Sequence, residues 1–219
     1  NVSTGETQKV DYPVIPEILC GYHFDGFLTA GLVWWSADSQ RVFFVDSPRD
    51  VRTVRVLEWD AQSGCTRVLF EEADDIAVRL RHDVTSPPII APLPETNELI
   101  WFSERSGWGH LYLYDLNSGE LKHQITGASS DKEPSAHNKW LVHSILHVDA
   151  ERRELLIQTA GRDPSINPYY RDVCKVNIDS GLLTPILSGN YEHNVYKTID
   201  GQSLDYVRTN FNLLGDIHI

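Results

Sequence analysis

The 219-residue chain carries 19 Lys and Arg against 31 Asp and Glu, a formal net charge of −12, and 41% of its residues are hydrophobic. Such an acidic chain would repel a polyanion, which excludes nucleic acid and an anionic membrane surface as natural partners. The remaining composition is that of an ordinary soluble domain, one large or two small, with chain enough for a real core.

The longest uncharged stretch, Gly26 to Ala37, is far shorter than the roughly 20 residues that span a bilayer, so no membrane contact is expected from this segment. Cys20, Cys65 and Cys174 lie far apart and no C-x-x-C occurs, so neither a disulfide framework nor a structural zinc site is expected. The chain starts at Asn1 and contains no Met, which reads as a processed chain or an excised segment. Asn1-Val2-Ser3 fits a glycosylation sequon.

From the N-terminus on, the apolar pattern is that of short strands. Arg41–Val45, Thr53–Trp59 and Thr66–Phe70 are rich in β-branched and aromatic residues, and several alternate apolar with polar. Turn pairs punctuate them: Asp38-Ser39, Ser63-Gly64, Asn97-Glu98, Ser118-Gly119, Ser180-Gly181 and Asp200-Gly201. No window of a dozen residues holds a 3.6-residue period.

The strands recur as a unit of four. Second strands begin near Val42, Leu99, Leu155 and Leu204, which are 57, 56 and 49 residues apart. "VLEWDAQSGCTRVLF", "HLYLYDLNSGELKHQIT" and "VCKVNIDSGLLTPIL" align as third strand, Ser-Gly turn and fourth strand. A repeat of about this length with four strands is the mark of β-propeller blades, since a lone four-stranded sheet cannot bury both of its faces. The expected fold is therefore all-β, a β-propeller segment of four-stranded antiparallel blades. Three nearly full blades fall at about 14–72, 85–127 and 138–188, with partial blades at 1–13 and 194–219. If the isolated segment closed on itself, residues 5–11 would pair with 204–219.

Candidate chemistry is sparse. In "WFSERSGWGHLYLYD", Ser103, Glu104, Arg105 and His110 could form a site or could dress a turn between two strands. His143 and His147 have the H-x-x-x-H spacing of a zinc helix, but their surroundings read as a strand, where residues four apart lie roughly 13 Å apart. Asp149–Glu154 reads as a solvated hairpin turn. Asp163–Pro168 is a loop, and the following Tyr169-Tyr170-Arg171 is either a binding edge or the start of a third strand. Trp34, Trp35, Phe43, Trp101, Phe102, Tyr112 and Tyr114 are expected to pack between sheets. No phosphate loop, calcium loop or basic patch is visible, so no cofactor or metal is expected. There is no G-x-S-x-G nucleophile elbow. The nearest string, Gly201-Gln-Ser203-Leu-Asp205, lacks the last glycine.

"ELIWFSERSGWGHLYLYDLNSGELKHQIT" resembles the signature of the dipeptidyl peptidase IV N-terminal propeller, found in serine peptidases of the prolyl oligopeptidase type. "ILHVDAERRELLIQTAGRDPSINPYYRDVCKVNIDSG" is similar to the following blade, and "WWSADSQRVFFVDSPRDVRTVRVLEWDAQSGCTRVLFEE" to the preceding one. The resemblance implies a non-catalytic domain that covers an attached C-terminal α/β-hydrolase domain, limits access to it, and helps hold peptide substrates. It also leaves room for a homodimer of the parent. The family's paired glutamates come from a region upstream of the match, and Glu71-Glu72 does not take their place. An aromatic-Arg pair after a fourth strand maps onto Leu80-Arg81, which makes Arg81 the one candidate substrate-lining residue. Similar turns occur in TolB-type propellers, so a stand-alone protein-binding module is the alternative.

Overall fold

The computed structural model describes residues 4–13, 32–48, 51–80, 88–127, 139–197, 204–210 and 213–218, with the backbone path alone from residue 196 on. Three four-stranded antiparallel sheets and one three-stranded sheet follow one another along the chain. Sheet 1 contains β1 (Val33–Trp35), β2 (Arg41–Asp46), β3 (Thr53–Asp60) and β4 (Thr66–Ala73). Sheet 2 contains β5 (Ile90–Leu93), β6 (Glu98–Ser103), β7 (His110–Asp115) and β8 (Leu121–Gln124), with a short 3-10 turn at Pro94–Thr96. Sheet 3 contains β9 (Leu141–Asp149), β10 (Glu154–Ala160), β11 (Arg171–Asn177) and β12 (Leu183–Leu187). Sheet 4 contains β13 (Glu192–Lys197), β14 (Leu204–Asn210) and β15 (Leu213–His218). Strand order within each sheet is the order in sequence.

This is the expected all-β propeller architecture, three full blades with a partial one behind them. The expected second strands coincide with β2, β6, β10 and β14. The chain divides into two compact units, residues 1–100 with 114–121 and residues 101–113 with 122–219.

Burial explains the composition of the strands. The second and third strands of sheet 2 are buried almost throughout, on both faces, whereas the outer strands β4, β8 and β12 are mostly exposed. An inner strand covered on both sides has no reason to alternate, and so "ELIWFS" and "HLYLYD" run nearly continuously apolar or aromatic. Trp101, Phe102, Tyr112 and Tyr114 are buried as expected. Trp35 is not: it is 54% exposed. Strand β1 is only three residues long, and its pleat sends Trp34 onto the ring of Phe43 and Trp35 to the opposite face.

The turn between third and fourth strands is one object built three times. Asp60, Asp115 and Asn177 each end a third strand. Each accepts a backbone N–H from the residue three ahead through its side chain, at 2.6, 3.0 and 2.9 Å. Each backbone carbonyl then takes the N–H of the glycine four ahead, at 2.8, 2.8 and 2.9 Å. Only a short side chain with an acceptor oxygen makes this turn, which is why Asp and Asn interchange here.

The glycine is fixed by a second requirement. Gly119 has φ +78°, and a Cβ on it would lie 2.2 Å from the carbonyl oxygen of Leu69 in β4. Gly181, with φ +70°, would meet the carbonyl oxygen of Ile125, just past β8, at 2.8 Å. These two turns therefore sit directly on the backbone that precedes them.

Side chains add to this seam within the first unit. Glu58, almost fully buried on β3, accepts from Arg41 Nη1 at 3.2 Å and from Arg67 Nε at 3.0 Å. The same guanidinium groups reach sheet 2: Arg41 Nη2 donates to Asn97 Oδ1 at 2.7 Å, and Arg67 Nη2 to the Asn117 carbonyl at 2.9 Å. The rings of Phe70 and Tyr114 stack at 3.9 Å.

The conditional pairing of residues 5–11 with 204–219 is not seen among the described strands. Sheet 4 has three strands, and residues 5–11 are not among them. Val10 and Tyr12 instead pack on Phe44, Leu57 and Trp59 of sheet 1, and Tyr12 Oη donates to Asp46 Oδ2 at 2.7 Å. Covering this face takes apolar surface of Val10 and Tyr12 out of water, which favours this docking.

The seam argument sets an expected outcome. Gly119→Ala loses about 2–4 kcal/mol, because the methyl collides with Leu69 and the backbone is left-handed. Gly107→Ala is the control: its φ is +88° but its methyl meets nothing within 4 Å, so only the backbone cost of about 1 kcal/mol remains. Urea unfolding of both variants measures the difference.

Candidate functional site

Among the described residues of the second unit, a polar cluster gathers where β10, β11 and β13 come together. Arg171 opens β11. Its guanidinium pairs with the Glu192 carboxylate, donates to Asn194 Oδ1 at 2.7 Å, and lies 3.5 Å from both ring nitrogens of His143. The Arg171 backbone N–H also donates to Glu192, at 2.9 Å. One residue on, Asp172 faces the other side of the strand, beside Thr159 of β10, and is buried. Arg162 reaches it from the β10–β11 loop, Nη2 to Oδ2 at 3.3 Å. Burial pushes the Asp172 carboxyl above its ordinary range, while Arg162 and the nearby His193 pull it back. The Cys174 thiol, next along the same face, is likewise pushed up by burial.

These groups hold strands and a loop rather than a reacting atom. Ser144 Oγ donates to Gln158 Oε1 at 2.8 Å, and Gln158 Nε2 donates to the His193 carbonyl at 2.6 Å. The loop they carry is tightly ordered. Asp163 Oδ1 accepts from the Ser165 N–H and hydroxyl, the Asn167 side chain caps Tyr169 N–H, and Asn190 caps Asn167 N–H. Tyr169 stands out from this frame almost wholly exposed, and Tyr170 leads directly into β11.

The opening candidates resolve as a turn. Ser103 Oγ accepts from Arg105 N and Nε, at 3.1 and 2.8 Å, and the Arg105 guanidinium lies 4.6 Å over the ring of Tyr112. Glu104 contributes its carbonyl to Gly107 N–H at 2.8 Å. His110 does meet a hydroxyl, Thr126 Oγ1 at 3.3 Å, but His110 is 1% and Thr126 2% exposed. Trp140 and Gly127 cover the imidazole, so no substrate can reach it.

The other candidates fall into place one by one. His143 and His147 both lie on strand β9, and among the described residues no group of three or more His, Cys, Asp or Glu could hold a metal. Asp149 caps and pairs with Arg152, as a hairpin turn does. Glu71 pairs with Arg55 at 2.6 Å on the outer face of sheet 1. Arg81 lies outside the described residues. Its neighbour Leu80 is fully buried.

Sequence reading missed the Arg162–Asp172 pair. A signal was present: Asp172 shares a strand face with Cys174 and Val176, which is where an apolar residue belongs.

A family model for the dipeptidyl peptidase IV (DPP IV) N-terminal region matches residues 24–212. The chain belongs to this family. As a DPP IV N-terminal region it is a β-propeller domain, and solved structures agree with that fold. It is similar to a candidate dipeptidyl aminopeptidase IV from Bacteroides ovatus, with 20% identity and a TM-score of 0.62 over 84% of this chain and 26% of that one. It is also similar to Porphyromonas gingivalis dipeptidyl peptidase 4, with 16% identity and a TM-score of 0.59 over 80% of this chain and 22% of that one. TolB from Acinetobacter baumannii aligns with a TM-score of 0.45 at 16% identity, over 83% of this chain and 38% of that one. The DPP IV N-terminal region in hand thus spans about a quarter of the length of the two peptidase relatives.

For this DPP IV N-terminal region the buried carboxyl gives a signed pH prediction. A carboxyl raised in the folded state stabilises fully below its unfolded value near 3.8 and loses that contribution as pH rises through the folded value. The stability of Asp172→Asn, relative to wild type, therefore improves as pH rises from the ordinary carboxylate value through the raised folded value. Chemical denaturation at a series of pH values reads this slope, and the opposite slope overturns the assignment.

Proposed function

We propose that this domain is the non-catalytic propeller of a DPP IV-like serine exopeptidase. It gates access to an attached α/β-hydrolase domain and shapes the peptide site there. The observation that carries this reading is the family match over residues 24–212. Two features support it. The sequence has no G-x-S-x-G elbow, and the hydroxyl-imidazole pair of Thr126 and His110 is sealed from solvent.

Gating suits such a fold. The sheets serve as a scaffold, and the loops that connect them are where binding residues concentrate. Arg81 is the residue we place at the peptide, where its planar fork would pair with a carbonyl or carboxylate oxygen.

Two measurements test the reading. This chain alone, given Xaa-Pro chromogenic substrates, should release no product above the blank, and turnover blocked by a serine reagent would overturn the claim. In the full-length parent, Arg81→Ala should raise KM roughly tenfold with kcat little changed, the pattern of lost uniform binding. Unaltered KM removes Arg81 from the site.

A further inference from the structure

The N-terminal segment repeats, outside the described sheets, a detail of the blade turns. In the three full blades the residue before the turn glycine is Ser63, Ser118 or Ser180. Its Oγ accepts the N–H two residues on, from Cys65, Glu120 or Leu182, at 3.3, 3.2 and 3.3 Å. Thr4 Oγ1 accepts from Glu6 N–H in the same way, at 3.3 Å. Gly5 between them has φ +72°, against +72°, +78° and +70° for Gly64, Gly119 and Gly181. The seat of the segment matches too. A Cβ on Gly64 would lie 3.0 Å from Gln8 Nε2, as Gly119 and Gly181 approach the backbone that precedes them. Residues 4–13 are thus built and seated like the fourth strand of a further sheet lying against sheet 1.

The face of sheet 1 beneath this segment is covered only in part. Val33, Phe44, Leu57 and Val68 stand opposite one another across its four strands and so share a face, which Trp35 and Trp59 extend. Val10 and Tyr12 cover the middle, over Phe44, Leu57 and Trp59. The flanks are open: Val33, Trp35 and Val68 are each about half exposed. A single strand is too narrow for a face as wide as a whole sheet.

Sheet 4 has the opposite deficit. Its order is β13-β14-β15, and among the described residues nothing pairs with the outer edge of β15. In sheets 1 and 3 a fourth strand pairs antiparallel with the third at this edge. The chain therefore presents a fourth strand without its sheet in one place and a sheet without a fourth strand in another. The two are not paired within one molecule among the described strands.

We propose that the open face of sheet 1, with residues 4–13 along it, is an interface for sheet 4 of a second copy of this chain. Backbone hydrogen bonds join residues 5–11 of one copy to the free edge of β15 in the other, and the incoming sheet covers Val33 and Trp35. An apolar face and an unpaired edge are both removed from water by one contact. When each copy does this to the other, neither surface is left open, which favours a closed pair over an open chain of molecules.

Sedimentation velocity of this chain over a concentration series reads the assembly. A dimer should form as concentration rises. Each copy carries a charge of −12, so added NaCl should strengthen the dimer by screening the repulsion. Trp35→Asp puts a charge into the interface and should weaken the dimer at least ~10-fold. Removing residues 1–9 leaves Val10 and Tyr12 in place, takes away the strand, and should weaken it as much. If Trp35→Asp fails to fold, the shortened chain carries the test. A photo-crosslinker in place of Thr7, in a mixture of isotope-labelled and unlabelled chains, should give mixed links to residues 213–218. A chain that stays monomeric throughout, a ladder of larger species, a dimer unweakened by the shortened N-terminus, or links confined to single chains overturns the proposal.

Discussion

Everything in this fold depends on how closely one sheet lets the next approach. The turns after the third strands of sheets 2 and 3 rest on the backbone of the preceding sheet, with no side chain between them at Gly119 and Gly181. That distance sets the depth of the space between sheets. The space is filled by Phe70 on Tyr114 in one unit, and by Ile125 near Ile178 with His123 Nε2 on the Ile178 carbonyl at 2.8 Å in the other. A four-stranded sheet with both inner strands apolar on both faces has no stable existence unless such a neighbour is present on each side. The repeat and the turn chemistry are therefore one constraint seen at two scales.

This is why so much of the architecture was legible in the sequence. A turn that needs an acceptor oxygen at its first position and a left-handed, side-chain-free residue at its fifth leaves "D-x-x-S-G" or "N-x-x-S-G" behind it. Doubly covered strands leave long apolar runs. The left-handed residues before the second strands are less visible. Ser39, Asn97 and Arg153 have φ of 57°, 52° and 57°, yet only Asn97 advertises it. Arg153 is held there by a pair of bonds to Asp179 at 3.0 and 2.6 Å, which no local pattern announces.

The unread parts share a cause. The Arg162–Asp172 pair, the Arg171 hub and the docking of Tyr12 on sheet 1 are decided by residues ten or more positions away. Local propensity is silent about them. The N-terminal segment looked like a strand in search of an edge, because its composition permits that. Its actual place was chosen by the aromatic face of Phe44, Leu57 and Trp59, a surface that exists only once sheet 1 has formed. Trp35 failed the expectation for a related reason: an aromatic residue in a three-residue strand has no guarantee of a neighbour on its side.

The distribution of charge also bears on what the domain can do. Its buried or half-buried ions are engaged in holding strands: Glu58 between two arginines, Asp172 with Arg162, Glu192 with Arg171. Such pairs give register and specificity more than net stability, since desolvation offsets much of their attraction. A group already saturated in this way is a poor catalyst, because the lone pairs and protons it would offer a substrate are occupied. The thiol of Cys174, raised by burial, is further from the reactive thiolate than a free cysteine is. Among the described residues, these ion pairs are committed to one another and to the strands they join.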